Sequence, residues 1–119
     1  MAALIEDLFE RGLDRRVMVV VTGEFGRTPR IRNHNGVPGR DHWGPAGCAM
    51  VYGGGMRMGQ VIGAPNRHGE RPSQRPIKPQ DVLATIYRHL GIDTQRHYID
   101  HSGRPIVTLP FGKPIEELA

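Results

Sequence analysis

Cysteine is nearly absent: Cys48 is the only one in 119 residues. A lone thiol can form no internal disulfide and no cysteine-based zinc cluster. Among the small residues of "PAGCAMVY" it reads as a packed core residue. Long apolar runs are missing too, and none approaches the ~18 residues of a membrane span. Met1 opens directly into a helical pattern, without the charged and apolar regions of a signal peptide. Lysine is scarce: Lys78 and Lys113 are the only two among 16 basic residues, and the other fourteen are arginine. Aromatic residues are few, at three Phe, three Tyr and one Trp. Binding single-stranded nucleic acid needs exposed rings beside the basic residues, and most of these rings fit core positions.

Glycine and proline, by contrast, are plentiful, at 16 and 10 residues. Much of the chain is therefore expected to be turn and loop. Formal charge is +4 and the isoelectric point is about 9.8, which favours anionic partners. An arginine-rich balance suits forked recognition of carboxylate, phosphate or sulfate, although a base-composition bias would produce the same count.

The patterning predicts an α/β fold. Residues 2–13 predict an amphipathic helix with Leu4, Ile5, Leu8 and Phe9 on one face and Gly12 as its stop. "VMVVV", residues 17–21, predicts a strand covered on both faces, as in a parallel sheet. Residues 26–45 read as an irregular Gly/Pro/Arg/Asn-rich loop, and loops of that length are commonly functional. Residues 48–54 predict a second strand. A short third, at 59–64, is expected to pair with it across "GGMRMG". Residues 65–79 read as an extended surface loop. The clearest helix covers 78–92, with Pro79 at its entrance, Val82, Leu83, Ile86, Tyr87 and Leu90 as its apolar stripe, and Gly91 at its end. An extended tail closes in a short helical turn at 115–118. Three strands at most leave "VMVVV" under-covered, which points to a piece of a larger unit.

Two stretches carry candidate chemistry. In "VTGEFGRTPR", Glu24 lies between Gly23 and Gly26 at the carboxyl end of a strand, where open α/β sheets place ligands. A carboxylate there can hold a cation, act as a base, or pair with Arg27 or Arg30. In "GRDHWG", Asp41 and His42 combine carboxylate and imidazole, the usual companions at a metal; a solvated loop pair is the plain alternative. Arg27, Arg30, Arg32 and Arg40 crowd the same loop, which calls for an anion or carboxylates to neutralise them. Trp43 is expected to anchor the loop by packing. His89 falls on the exposed face of the second helix. His97, Asp100 and His101 read as a surface turn. "GGGMRMG" has the flexibility for phosphate binding, but more simply makes a turn.

Taken together, "VVVTGEFGRTPR", "GRDHWGPAGCAMVYGGGMRMGQVIG", "RPIKPQDVLATIYRHLGID" and "SGRPIVTLPFGKPIEEL" resemble the C-terminal part of the domain-of-unknown-function 1501 family. That family is sulfatase-like and related to the alkaline phosphatase superfamily. The resemblance implies the C-terminal part of an α/β/α sandwich, with Met1 an internal start. The N-terminal half of the domain, with the nucleophile and the first metal carboxylates, would lie upstream. Superfamily members end a central strand in a Thr-Ser/Ala-Asp-His-Gly type of motif. Glu24 would stand for its Asp, whereas Phe25 occupies the place of its His and cannot ligate. His42 matches a later loop His. By this resemblance Glu24 and His42 would be ligands of a divalent ion of zinc or calcium type, and Asp41 either a further metal ligand or the partner that holds His42. Arg27 and Arg40 would bind the substrate anion, and no catalytic nucleophile is present. Substrates would be small anionic esters or sulfated or phosphorylated polymers. Longer relatives often carry a twin-arginine export signal. Two other readings stand beside the hydrolase fragment: a non-catalytic binding module of the same fold, and a basic polyanion or nucleic-acid binder.

Overall fold

Glycine ends both helices, as the sequence leads one to expect. In the computed structural model, which describes all 119 residues, α1 spans Ala2–Glu10 and α2 spans Pro79–His89. At the end of α2, Gly91 adopts φ 69°, and the amides of Gly91 and Ile92 return to the carbonyls of Arg88 and Tyr87. That is a Schellman arrangement, and it satisfies the last carbonyls of the helix. The end of α1 repeats it, with Gly12 at φ 65° and Leu13 N–H donating to Leu8 O at 2.8 Å. Pro79 opens α2 with its φ already helical, and Asp81 Oδ2 accepts from the Lys78 amide at 2.8 Å.

Ten short strands lie along the chain. They are β1 Met18–Thr22, β2 Gly26–Arg27, β3 Arg32–His34, β4 Val37–Gly39, β5 His42–Trp43, β6 Ala49–Gly53, β7 Ala64–Pro65, β8 Pro72–Gln74, β9 His97–Ile99 and β10 Pro105–Val107. Each has a single neighbour, in the pairs β1–β6, β2–β5, β3–β4, β7–β8 and β9–β10, and every pair is antiparallel. A 3-10 turn at Glu116–Leu118 ends the chain, as expected for the tail.

The architecture is mixed helix and strand, but several expectations are corrected. The parallel sheet is not formed within this chain: β1 pairs only with β6, Met18 opposite Gly53 and Thr22 opposite Ala49. Nor is β1 covered on both faces, since its last apolar residue, Val21, is 38% exposed. The expected strand at 59–64 is absent; Val61 is 98% exposed, and Ala64–Pro65 pairs forward with 72–74 instead. Cys48 is exposed, not packed. The 26–45 loop is more regular than its composition indicates. Asn35 and Gly36 both take positive φ, 52° and 86°, the geometry of a tight hairpin turn between β3 and β4.

Only seven residues are buried, and the apolar ones are Leu8, Ala84, Leu109, Ile115 and Leu118. On α2 the buried residues are Ala84 and Thr85, while Leu83 and Leu90 of the expected stripe are exposed. The reason lies in the tail, which packs beside this helix. Thr85, 1% exposed, donates from Oγ1 to Asp81 O at 2.7 Å and accepts from Ile115 N–H at 2.9 Å. Asp81 Oδ1 accepts from Lys113 N–H at 2.9 Å. These two backbone donors, Lys78 first and then Lys113, hold the Asp81 carboxyl below its ordinary range. Farther along, Glu117 receives a forked pair from Arg75 at 2.6 and 2.9 Å, which lowers the Glu117 carboxyl. The tail also ties down residues 57–60: Gln60 Nε2 donates to Glu117 O at 2.7 Å.

The chain is thin for its length. Its radius of gyration is 17.8 Å and its extents are 51 × 47 × 27 Å, where a compact domain of this size has a radius near ~13.5 Å. Its accessible surface is 9237 Å², against roughly 6,400 Å² for a compact monomer of equal mass. Apolar side chains such as Phe9, Ile31, Val37, Ile99 and Phe111 contribute to that surface.

Candidate functional site

The two stretches singled out in the sequence meet. β2 and β5 pair with Gly26 opposite Trp43 and Arg27 opposite His42. Cross-strand partners lie side by side on one face of a pair, so "GEFG" and "GRDHWG" form one surface. Gly26 makes the approach possible. A Cβ built there would stand 1.7 Å from the carbonyl oxygen of Ala46, so the glycine clears room for backbone and not for a ligand. Thr28 completes the clamp: its amide donates to Asp41 O at 3.0 Å, and its hydroxyl accepts from the Asp41 amide at 3.1 Å. Trp43 anchors the loop as expected, its indole N–H donating to Glu70 O at 2.6 Å.

Among the candidate residues, Phe25 and His42 are in ring contact, centroids 3.8 Å apart and planes inclined by 32°. The Arg27 guanidinium carbon lies 5.9 Å from the Phe25 centroid, within cation–π range, and Arg27 donates to Arg40 O at 3.4 Å. Phe25 therefore touches His42 and lies within cation–π range of Arg27. Glu24, Arg27, Arg40 and His42 are exposed. Glu24 makes no ion pair, with Arg27, Arg30 or any other cation.

Asp41 does not converge with His42. Its carboxylate turns to the β3–β4 hairpin, Oδ1 lying 3.1 Å from His34 Nε2 and Oδ2 3.8 Å from Arg32 Nε. No group of three His, Cys, Asp or Glu side chains gathers as a metal cage. Glu24, Asp41 and His42 share a surface without forming a joint donor set, and as arranged they do not fit a complete metal site. His34 and Thr28 are the residues the sequence reading missed. The signal for His34 was "NHNGV": an Asn-Gly turn folds residues 32–34 back over 37–39 and brings His34 near Asp41.

Elsewhere, "HYIDHSGR" is a surface turn between β9 and β10. Asp100 Oδ1 accepts from the amides of Ser102 and Arg104 at 2.8 and 2.9 Å, and these bonds hold its carboxyl below the ordinary range, the Arg104 amide first. His89 differs from its sequence reading. It is half-buried and lies against Gly54, where an added Cβ would sit 3.0 Å from its Nδ1.

The chain is mixed helix and strand, and Arg27, Arg30, Arg32 and Arg40 lie in the same segment as Glu24 and Asp41. The family described as a protein of unknown function, DUF1501, matches residues 1–119, and the chain belongs to that family. No curated protein and no solved structure matches it. No helix is long and apolar enough to cross a membrane.

Proposed function

We propose that this chain is the C-terminal part of a sulfatase-like, metal-dependent hydrolase of sulfate or phosphate esters. Its role there is to present the anion-recognition loop to the remainder of an α/β/α sandwich. One observation carries the reading: the β2–β5 pairing sets Arg27 opposite His42. Arg27 and Arg40 supply forked donors for a tetrahedral oxyanion and neutralise charge that develops on it. Phe25 lies against the His42 ring, which it packs on one side.

By the family resemblance Glu24 and His42 would each give one donor to a divalent ion, a set that this chain does not assemble by itself. Such an ion would polarise the ester oxygen and activate a nucleophile. Asp41 is committed to His34 and Arg32, so further donors, like the nucleophile, belong to the upstream half of the domain. The uncovered apolar surface supports the same partner, since the missing half would bury it. By the same reading the full-length protein is exported through a twin-arginine signal.

The experiment is calorimetric titration of the full-length protein with zinc and calcium, in parallel with ester hydrolysis. Tight binding of one ion is expected to weaken at least ~10-fold in both Glu24→Ala and His42→Ala. The 119-residue chain alone is expected to show no turnover of aryl sulfate or aryl phosphate. Unchanged metal affinity in both variants, or turnover by the chain alone, contradicts the proposal. A full-length protein that binds anionic esters without metal or turnover would be the non-catalytic module of the same fold.

A further inference from the structure

We propose a second anion site, for the tetrahedral head of a small phosphate or sulfate monoester, in the cleft between the α1–β1 turn, the glycine turn after β6 and the C-terminal end of α2. The cleft has a volume of about 690 Å³ and is lined by Arg15, Arg16, Arg88 and His89, with Gly54, Met56, Thr85 and Leu90. It shares no residue with the β2–β5 surface, and it stands or falls independently of the hydrolase reading.

Charge carries the argument. Three arginines line one cleft, no acidic residue lines it, and none of the three takes part in an ion pair. Like charges gathered without counter-charge repel, and a dianion relieves that repulsion while accepting forked donors. Part of the cationic character has a local purpose, because Arg88 and His89 in the last turn of α2 complement the helix dipole. Arg15 and Arg16 have no such purpose. They come from the turn between α1 and β1, and the fold carries them to the same cleft.

The scaffold under these side chains is fixed. Gly53, Gly54 and Gly55 all adopt left-handed φ, 78°, 66° and 71°. The Gly54 and Gly55 amides donate to Val17 O and Asp14 O, at 2.9 and 3.4 Å. The glycine turn is thereby stitched to the residues flanking Arg15 and Arg16. Since these amides are occupied, the anion's donors are the arginine side chains and the His89 ring. The Thr85 hydroxyl is likewise committed, to Asp81 O and Ile115 N–H. On the other side, the carbonyls of Ile86, Tyr87 and Arg88 are taken by the amides of Leu90, Ile92 and Gly91, and Arg88 and His89 offset the negative end of the helix. The cleft is larger than a bare oxyanion, and Met56 and Leu90 provide apolar wall for the organic part of an ester.

The test is titration of the isotope-labelled 119-residue chain with inorganic phosphate and, separately, with phenyl phosphate, at constant ionic strength. Saturable shifts are expected on the Gly54, Gly55 and Met56 amides and on the Nε–H groups of Arg15, Arg16 and Arg88. Phenyl phosphate is expected to bind more tightly than phosphate. Arg16→Gln and Arg88→Gln, both at exposed positions, should each weaken binding about tenfold with the spectrum otherwise unchanged. As a second readout, phenyl phosphate should protect Arg16 and Arg88 from phenylglyoxal, measured by mass spectrometry. Shifts confined to Arg27 and Arg40, non-saturating shifts, equal affinity in the Gln variants, or absence of protection would overturn the proposal.

Discussion

Two regions of this molecule are built on opposite plans. Along α2 and the C-terminal tail, polar groups are buried and satisfied: Thr85 both gives and accepts a bond, and Asp81 joins the start of the helix to Lys113. Across β2 and β5, polar groups are exposed and in excess. Arg27, Arg40, His42 and Glu24 are all exposed, and two-residue strands hold the surface together. Buried contacts concentrate in the first region, and the proposed recognition falls to the second. The separation means that residues of the loop surface can be altered at little cost to folding, whereas the contact between α2 and the tail tolerates little.

The largest loss is expected from Ile115→Ala. Its side chain is 4% exposed, and truncating a buried Ile costs about 2–5 kcal/mol, measured by urea unfolding. Next comes Thr85→Val, which leaves the Ile115 N–H buried and unpaired at about 1–3 kcal/mol. Thr85→Ser should retain most of the stability, and if Val and Ser behave alike the hydroxyl is not the link. A smaller effect is expected at Asp81, and it depends on pH. Because the folded-state pKa is lowered, the contribution is present above about pH 4 and fades as pH falls through the folded value. The stability gap between wild type and Asp81→Asn should therefore close in acid; a gap independent of pH would show that charge plays no part. The smallest change belongs to the loop surface. Arg27→Gln and Arg40→Gln should leave stability within about 0.5 kcal/mol while weakening binding of aryl sulfate.

What could be read from the sequence follows the range of the forces involved. The ends of both helices were legible because Gly12 and Gly91 act within a few residues. β6 was legible because "CAMVYGG" is bounded by its own turn signals. The partners of β1 were not: an unbroken apolar run states that a strand wants cover, not which strand supplies it, and within this chain only β6 does. Cys48 read as buried for the same reason, since small neighbours resemble a core whether or not anything lies above them. At the site, the meeting of the two stretches was legible as composition, but its cause was not. Gly26 yields to the Ala46 carbonyl, a contact between residues twenty positions apart, and Asp41 chooses His34 because an Asn-Gly turn delivers it. His89 read as solvated on helical periodicity alone, because the glycine turn that covers it lies far away in the chain.

The central claim is that the β2–β5 pairing makes a single anion-recognition surface out of two separate stretches. Gly26→Ala tests it most directly, because any Cβ at that position collides with the Ala46 carbonyl and crowds that of Trp43, so the backbone at the pairing must shift. The measurement is titration of labelled wild-type and Gly26→Ala chains with phenyl sulfate, following Arg27, Arg40 and His42. The account predicts that the three respond together in the wild type and lose that response in Gly26→Ala, while Thr85 and Ile115 keep their wild-type shifts. An undiminished response at Arg27, Arg40 and His42 in Gly26→Ala would contradict it.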